Sequence, residues 1–127
     1  MPSPGQGIIA IEIRSGDERA ARAVRSITDT VAQQALDVER AVVDALGGGC
    51  QTPIGALATP VREDQFELVA AVVSLDGSRM LRTVVHGARA EARALGERGA
   101  ADLLAQGAAE ILEEARRVQA QNERNSP

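Results

Sequence analysis

Three consecutive glycines, Gly47-Gly48-Gly49, split this chain of 127 residues into stretches of different periodicity. Glycine ends helices because it enters the left-handed backbone region without steric penalty, and a run of it loses too much chain entropy to sit inside a helix or strand. Whatever precedes residue 47 must finish before it, and whatever follows starts afresh. Upstream, Val31, Ala35, Val38, Val42 and Ala45 recur at helical spacing with Leu46 beside them. This stripe starts at the capping group Thr28-Asp29-Thr30, with Gln33 placed as in a capping box, and predicts a helix ending near Leu46. Downstream, residues 54–61, 66–75 and 79–86 are apolar runs separated by the polar turn Arg62-Glu63-Asp64-Gln65 and the tight turn Asp76-Gly77. That pattern predicts an antiparallel meander of three strands. In the third, Met80, Arg82, Val84 and His86 alternate with Leu81, Thr83 and Val85, so one face is expected to meet water in part.

The segment before the helix at the capping group does not obviously belong to the layer formed with the meander. Ile8-Ile9-Ala10-Ile11-Glu12-Ile13 is β-branched and nearly continuous, predicting a strand over 8–13 covered on both faces. If ordered, such a strand should join a sheet edge or pair between copies. Asp17 is placed to cap a short helix from Glu18 to Ile27. Beyond the meander, residues 89–105 read as an Ala-rich helix interrupted by Gly96 and Gly99, Gly107 as a stop, and 108–118 as a last helix before a polar tail, 119–127, expected to fray. The fold class expected is α+β: a three-stranded antiparallel sheet with helices packed on one face, preceded by an extra N-terminal strand and helix.

Composition removes several functions. Fourteen cations, all Arg, against 18 acidic residues give a net charge of −4, which disfavours nucleic acid and anionic membranes as partners. Phe66 is the only aromatic residue, so no platform for stacking bases exists. One cysteine, Cys50, and one histidine, His86, allow neither an internal disulfide nor a zinc cage of Cys and His, so no metal site is expected. No apolar run is long enough to span a bilayer, and Met-Pro-Ser-Pro does not begin a signal peptide, so a cytoplasmic protein is expected.

Gly5-Gln6-Gly7-Ile8-Ile9-Ala10 spells a dinucleotide motif, but it precedes a strand where that motif must follow one and open a helix, so nucleotide binding is rejected. Cys50 is more informative. In Gly-Gly-Gly-Cys-Gln-Thr-Pro the thiol lies in a loop between helix and strand, where it is either a small inert side chain or a covalent handle. A cysteine hydrolase would need a base beside the sulfur, and His86, with Val on one side and in a strand, reads as half-buried structure. Glu39-Arg40 lies outside the apolar stripe and is either a solvated face or a charged pair that docks another domain. Arg14 either neutralises a carboxylate or merely ends its strand.

Pro4-Gly5-Gln6-Gly7, Ile11-Glu12-Ile13-Arg14, Glu39-Arg40-Ala41, Gly48-Gly49-Cys50-Gln51-Thr52-Pro53-Ile54-Gly55 and Ser74-Leu75-Asp76-Gly77-Ser78 closely resemble, in order and spacing, the C-terminal part of the porphobilinogen deaminase (hydroxymethylbilane synthase) family. The resemblance runs from Pro4 to about Val118. It implies that Cys50 carries a dipyrromethane cofactor through a thioether, with Gly49, Gln6 and Gly7 near the cofactor cleft and Glu39, Arg40 and Arg14 at interdomain contacts. It implies a transferase of porphyrin and heme biosynthesis that adds four porphobilinogen units head to tail with loss of ammonia, the glycines serving as a hinge that repositions the growing chain. Residues 1–28 would be a remnant of the preceding domain and 29–118 the cofactor-attachment domain. The catalytic aspartate and most substrate-binding arginines of the family belong to its N-terminal domains, so no catalytic residue is expected here. Those domains, absent or on a separate chain, would be the partner, and the chain alone would be inactive. The alternative is a non-catalytic module that binds small molecules or proteins and retains the fold.

Overall fold

The structure is a computed structural model that describes residues 1–49 and 52–125. Its elements in chain order are α1 (Glu18–Ile27), α2 (Thr30–Ala45), β1 (Ile54–Arg62), β2 (Gln65–Val73), β3 (Met80–Ala88), a 3-10 turn (Arg89–Glu91), α3 (Ala92–Ala105) and α4 (Ala108–Asn125). Two of the expected caps form. Asp17 accepts the Ala20 amide at 2.9 Å, and Asp29 accepts those of Val31 and Ala32, which fixes the start of α2. Gln33 is not a capping-box partner; its side chain donates forward to Asp37.

The strands pair in sequence order, β1-β2-β3, both pairs antiparallel, with Leu57 opposite Val69 and Val69 opposite Val84. Because side chains alternate across a sheet, one face carries Ile54, Ala56, Ala58, Phe66, Leu68, Ala70 and Val72 into the core. Val38 and Val42 of α2, Leu95 and Leu103 of α3, and Ile111 and Leu112 of α4 close over it. The other face is open over much of its area, as the alternation in β3 predicts: Leu57 and Val84 are each 41% exposed and Met80 66%, while Met1 and Pro2 lie over Gly55 and its partner Ala71 is buried. The second turn is longer than expected. Ser74 to Arg79 link the strands, and Asp76 Oδ1 accepts from the hydroxyls of Ser74 and Ser78 and from the Ser78 amide, while Gly77 takes φ +73°.

Gly96 and Gly99 do not interrupt α3; they let it approach. A methyl group at Gly96 would lie 2.6 Å from Ala41 Cβ and would overlap the Val38 carbonyl, and one at Gly99 would lie 2.7 Å from Leu68 Cδ2. The last helix continues past Gln119, where fraying was expected, to Asn125.

Residues 8–13 form no strand, contrary to the sequence reading. A strand needs an edge to pair with, and parts of both edges of the sheet are engaged by other groups. At β1 the Ala58 amide donates to Glu39 Oε1 at 3.0 Å, and Pro60 has no amide to offer. At β3 the carbonyls of His86 and Arg82 accept from Arg98 of α3 and from Gln106, which caps that helix. Ile9 is left 90% exposed, and α1 buries no residue.

Candidate functional site

The C-terminal end of α2 is built as a held turn. Gly47 takes φ +63°, its amide donates to the Asp44 carbonyl at 3.1 Å, and the Gly48 amide donates to the Val43 carbonyl at 2.9 Å, so the last carbonyls of the helix are satisfied as glycine caps satisfy them. From α4, Arg116 Nη2 donates to the carbonyls of Leu46 (3.1 Å) and Gly47 (3.0 Å). Gly48 passes so close to β1 that a Cβ there would sit 2.7 Å from Ile54 Cδ1 and 2.9 Å from Thr52 Oγ1. The Thr52 hydroxyl accepts the Gly49 amide at 2.7 Å and donates to the Gly49 carbonyl, and the Thr52 amide donates to that same carbonyl at 3.0 Å. Gly49 is exposed, and apart from its chain neighbours no described residue places a heavy atom within 4 Å of where a Cβ would stand. Cys50 and Gln51 lie outside the described residues. The glycines that precede them are tied at both ends of the turn, by a cation at one and a hydroxyl at the other.

Glu39 is only 5% exposed, so the solvated-face reading fails for it. Its Oε2 accepts the Gly5 amide at 2.6 Å and its Oε1 the Ala58 amide, which pins the N-terminal segment to the edge of β1. Beside it, Gln6 and Gly7 are exposed on two overlapping turns, closed by Gln6 N–H to the Ser3 carbonyl and Ile8 N–H to the Gly5 carbonyl, with Gly5 and Gly7 at φ +75° and +83°. The structure thus brings Glu39 together with the Gly5-Gln6-Gly7 word. Arg40 is exposed and lines a groove of about 940 Å³ between α2 and α3, together with Asp37, Asp44, Glu91 and Glu97. Arg14 is also exposed; its carbonyl accepts the Asp17 amide.

His86 is not half-buried. It stands on the open sheet face, its side chain 58% exposed, with Nε2 3.2 Å from Glu67 Oε2 on the neighbouring strand. Among the described residues no group of three or more His, Cys, Asp or Glu could hold a metal ion, and no helix is long and apolar enough to cross a membrane. Sequence reasoning missed Thr52 and Arg116. The hydroxyl so near the glycines was a readable sign of a local turn; nothing in α4 marked Arg116, whose partners lie far away in sequence.

The sequence matches the family described as "Porphobilinogen deaminase, C-terminal domain" over residues 33–105, more than half of the chain. The chain belongs to this family. Its porphobilinogen deaminase relatives include that of Moorella thermoacetica, 46% identical over 114 residues, or 90% of this chain and 36% of the relative. That of Pelotomaculum thermopropionicum is 41% identical over 91% of this chain and 37% of its own length, and that of Corynebacterium diphtheriae 41% over 88% and 38%. The chain therefore spans little more than a third of the porphobilinogen deaminases it matches. Within that third, the family match begins inside α2 and takes in the held turn, the whole sheet and α3.

Proposed function

We propose that this chain is the cofactor-carrying portion of a hydroxymethylbilane synthase. The observation that carries the reading is the family match across the turn that links α2 to β1, where the word Gly-Gly-Cys-Gln-Thr-Pro holds the only thiol of the sequence. In this reading Cys50 holds dipyrromethane through a thioether, Gly49 and the Gln6-Gly7 turn border it, and the whole enzyme joins four porphobilinogen units with loss of ammonia.

The residues present fit such a group. A thioether needs one accessible sulfur and room beside it, and the exposure of Gly49, its neighbour in sequence, supports that reading. When bound, the group supplies a pyrrole carbon as the site of chain growth. The acidic side chains of pyrroles call for cations, and Arg40 and Arg14 are exposed for that use or for contact with a neighbouring domain. Glu39 has a different share of the interdomain role, because both its oxygens hold backbone amides: it fixes the incoming segment rather than reaching outward. Residues 1–28 are then the end of the preceding domain, which accounts for a helix α1 that buries nothing. Protonating a leaving amine and clamping several carboxylates take more groups than these, so the remaining domains, on the same or another chain, supply the catalysis.

The test is intact mass after co-expression with the N-terminal domains of a relative, or after incubation with the linear tetrapyrrole product. An adduct on Cys50, absent in Cys50→Ala, is expected. No adduct in the parent protein would defeat the reading and leave a binding module without catalysis.

A further inference from the structure

We infer that Thr52 and Arg116 are positioning residues that fix the two ends of the glycine turn from which Cys50 departs. The inference rests on the reading of Cys50 as the attachment point, but its geometry stands among the described residues. Arg116 stands one turn after the buried Leu112 on α4 and is itself exposed. Its guanidinium meets the end of α2, where free carbonyls and the negative end of the helix dipole favour a cation, and one nitrogen serves both Leu46 and Gly47. Thr52 closes the other end, its amide and hydroxyl together satisfying both backbone groups of Gly49. Steric fit completes the clamp, because Gly48 has no room for a side chain between Val43, Thr52 and Ile54. A group tethered beyond such a turn starts from a fixed root, which lowers the ordering cost of presenting it to a partner site. That is a use the tie serves and a free hinge would not.

The experiment is hydrogen exchange by mass spectrometry on the full chain, together with the rate at which iodoacetamide alkylates Cys50. Thr52→Val keeps the branched shape and deletes the hydroxyl; Arg116→Met keeps the stem and deletes the cation. Each should speed exchange across residues 47–49 by about threefold to tenfold, the range set by losing one ordinary hydrogen bond, while β2 exchanges as in the parent. Alkylation should shift by at least about threefold, and Thr52→Ser and Arg116→Lys should return both readouts toward the parent. Unchanged exchange at 47–49, unchanged alkylation, or failure of Thr52→Ser to restore them would overturn the inference. None of these measurements involves a pyrrole, so a missing adduct on Cys50 would count against the proposed function and leave the clamp standing.

Discussion

Replacing Gly96 by Ala sets two physical effects against each other. On helix propensity alone the change should stabilise α3 by about 1 kcal/mol, since Ala is the best helix former and Gly among the worst. The packing gives the opposite sign. The added methyl would overlap the Val38 carbonyl and lie 2.6 Å from Ala41 Cβ and 3.2 Å from the Val42 amide nitrogen, so two of its three nearest neighbours are backbone atoms of α2 that no rotamer change can move. Relief requires α2 and α3 to separate, which strips contact from Val38, Val42 and Leu95, all fully buried. Overpacking costs of about 3 kcal/mol are then expected, leaving a net loss of about 2 kcal/mol. For a chain of this size that lowers Tm by roughly 8 °C. Urea unfolding followed by far-ultraviolet circular dichroism reads it directly, with Ala94→Gly on the exposed side of the same helix as the propensity control. Gly99→Ala should cost less than Gly96→Ala, because its obstacle is the tip of the Leu68 side chain. A Gly96→Ala protein at least as stable as the parent would refute the close-approach argument.

Three further outcomes follow from the same contacts. Glu39→Ala should cost about 2–4 kcal/mol in urea unfolding, because it leaves the Ala58 and Gly5 amides without their charged acceptor, and Glu39→Gln should cost less by keeping one acceptor; equal stability of all three proteins would contradict the pinned segment. Arg89 donates to Gln34 Oε1 and the Glu63 carbonyl and lies 5.6 Å from the Phe66 ring centroid, so Arg89→Lys, which lacks the planar fork, should lose about 1–2 kcal/mol, and a loss below the error of the titration would show the fork to be dispensable. Hydrogen bonds from Ser74 and then Ser78 hold the Asp76 carboxyl at about 2, below its ordinary value of 3.8, so its contribution is fully present above pH 4 and is lost as pH falls toward 2. Asp76→Asn should therefore flatten the stability profile between pH 4 and 2, and superimposable profiles would exclude a role for this loop.

The meander was legible because its signals are local: alternation in β3 and a polar pair after Arg62 need no knowledge of the rest of the fold. The caps at Asp17 and Asp29 were legible for the same reason. Residues 8–13 were misread because β-branched composition reports what a strand would like, not whether an edge is free, and Glu39, Pro60, Arg98 and Gln106 occupy parts of both edges. Gly96 and Gly99 look like breaks in one dimension and are contact points in three. At the candidate site, the cysteine word and the Glu39-Arg40 pair could be found from the sequence, but the burial of Glu39 could not, because it depends on Gly5 and Ala58 arriving from distant parts of the chain. Arg116 escaped for the same reason.

The sheet order β1-β2-β3 repeats the order of synthesis. Each hairpin closes over a short loop, so strand pairing incurs little loop-closure entropy, and all three strands can zip before α3 and α4 have left the ribosome. The sheet surface on which the last two helices condense can then already be formed, while the docking of α3 against α2 at Gly96 has to join parts of the chain far apart in sequence.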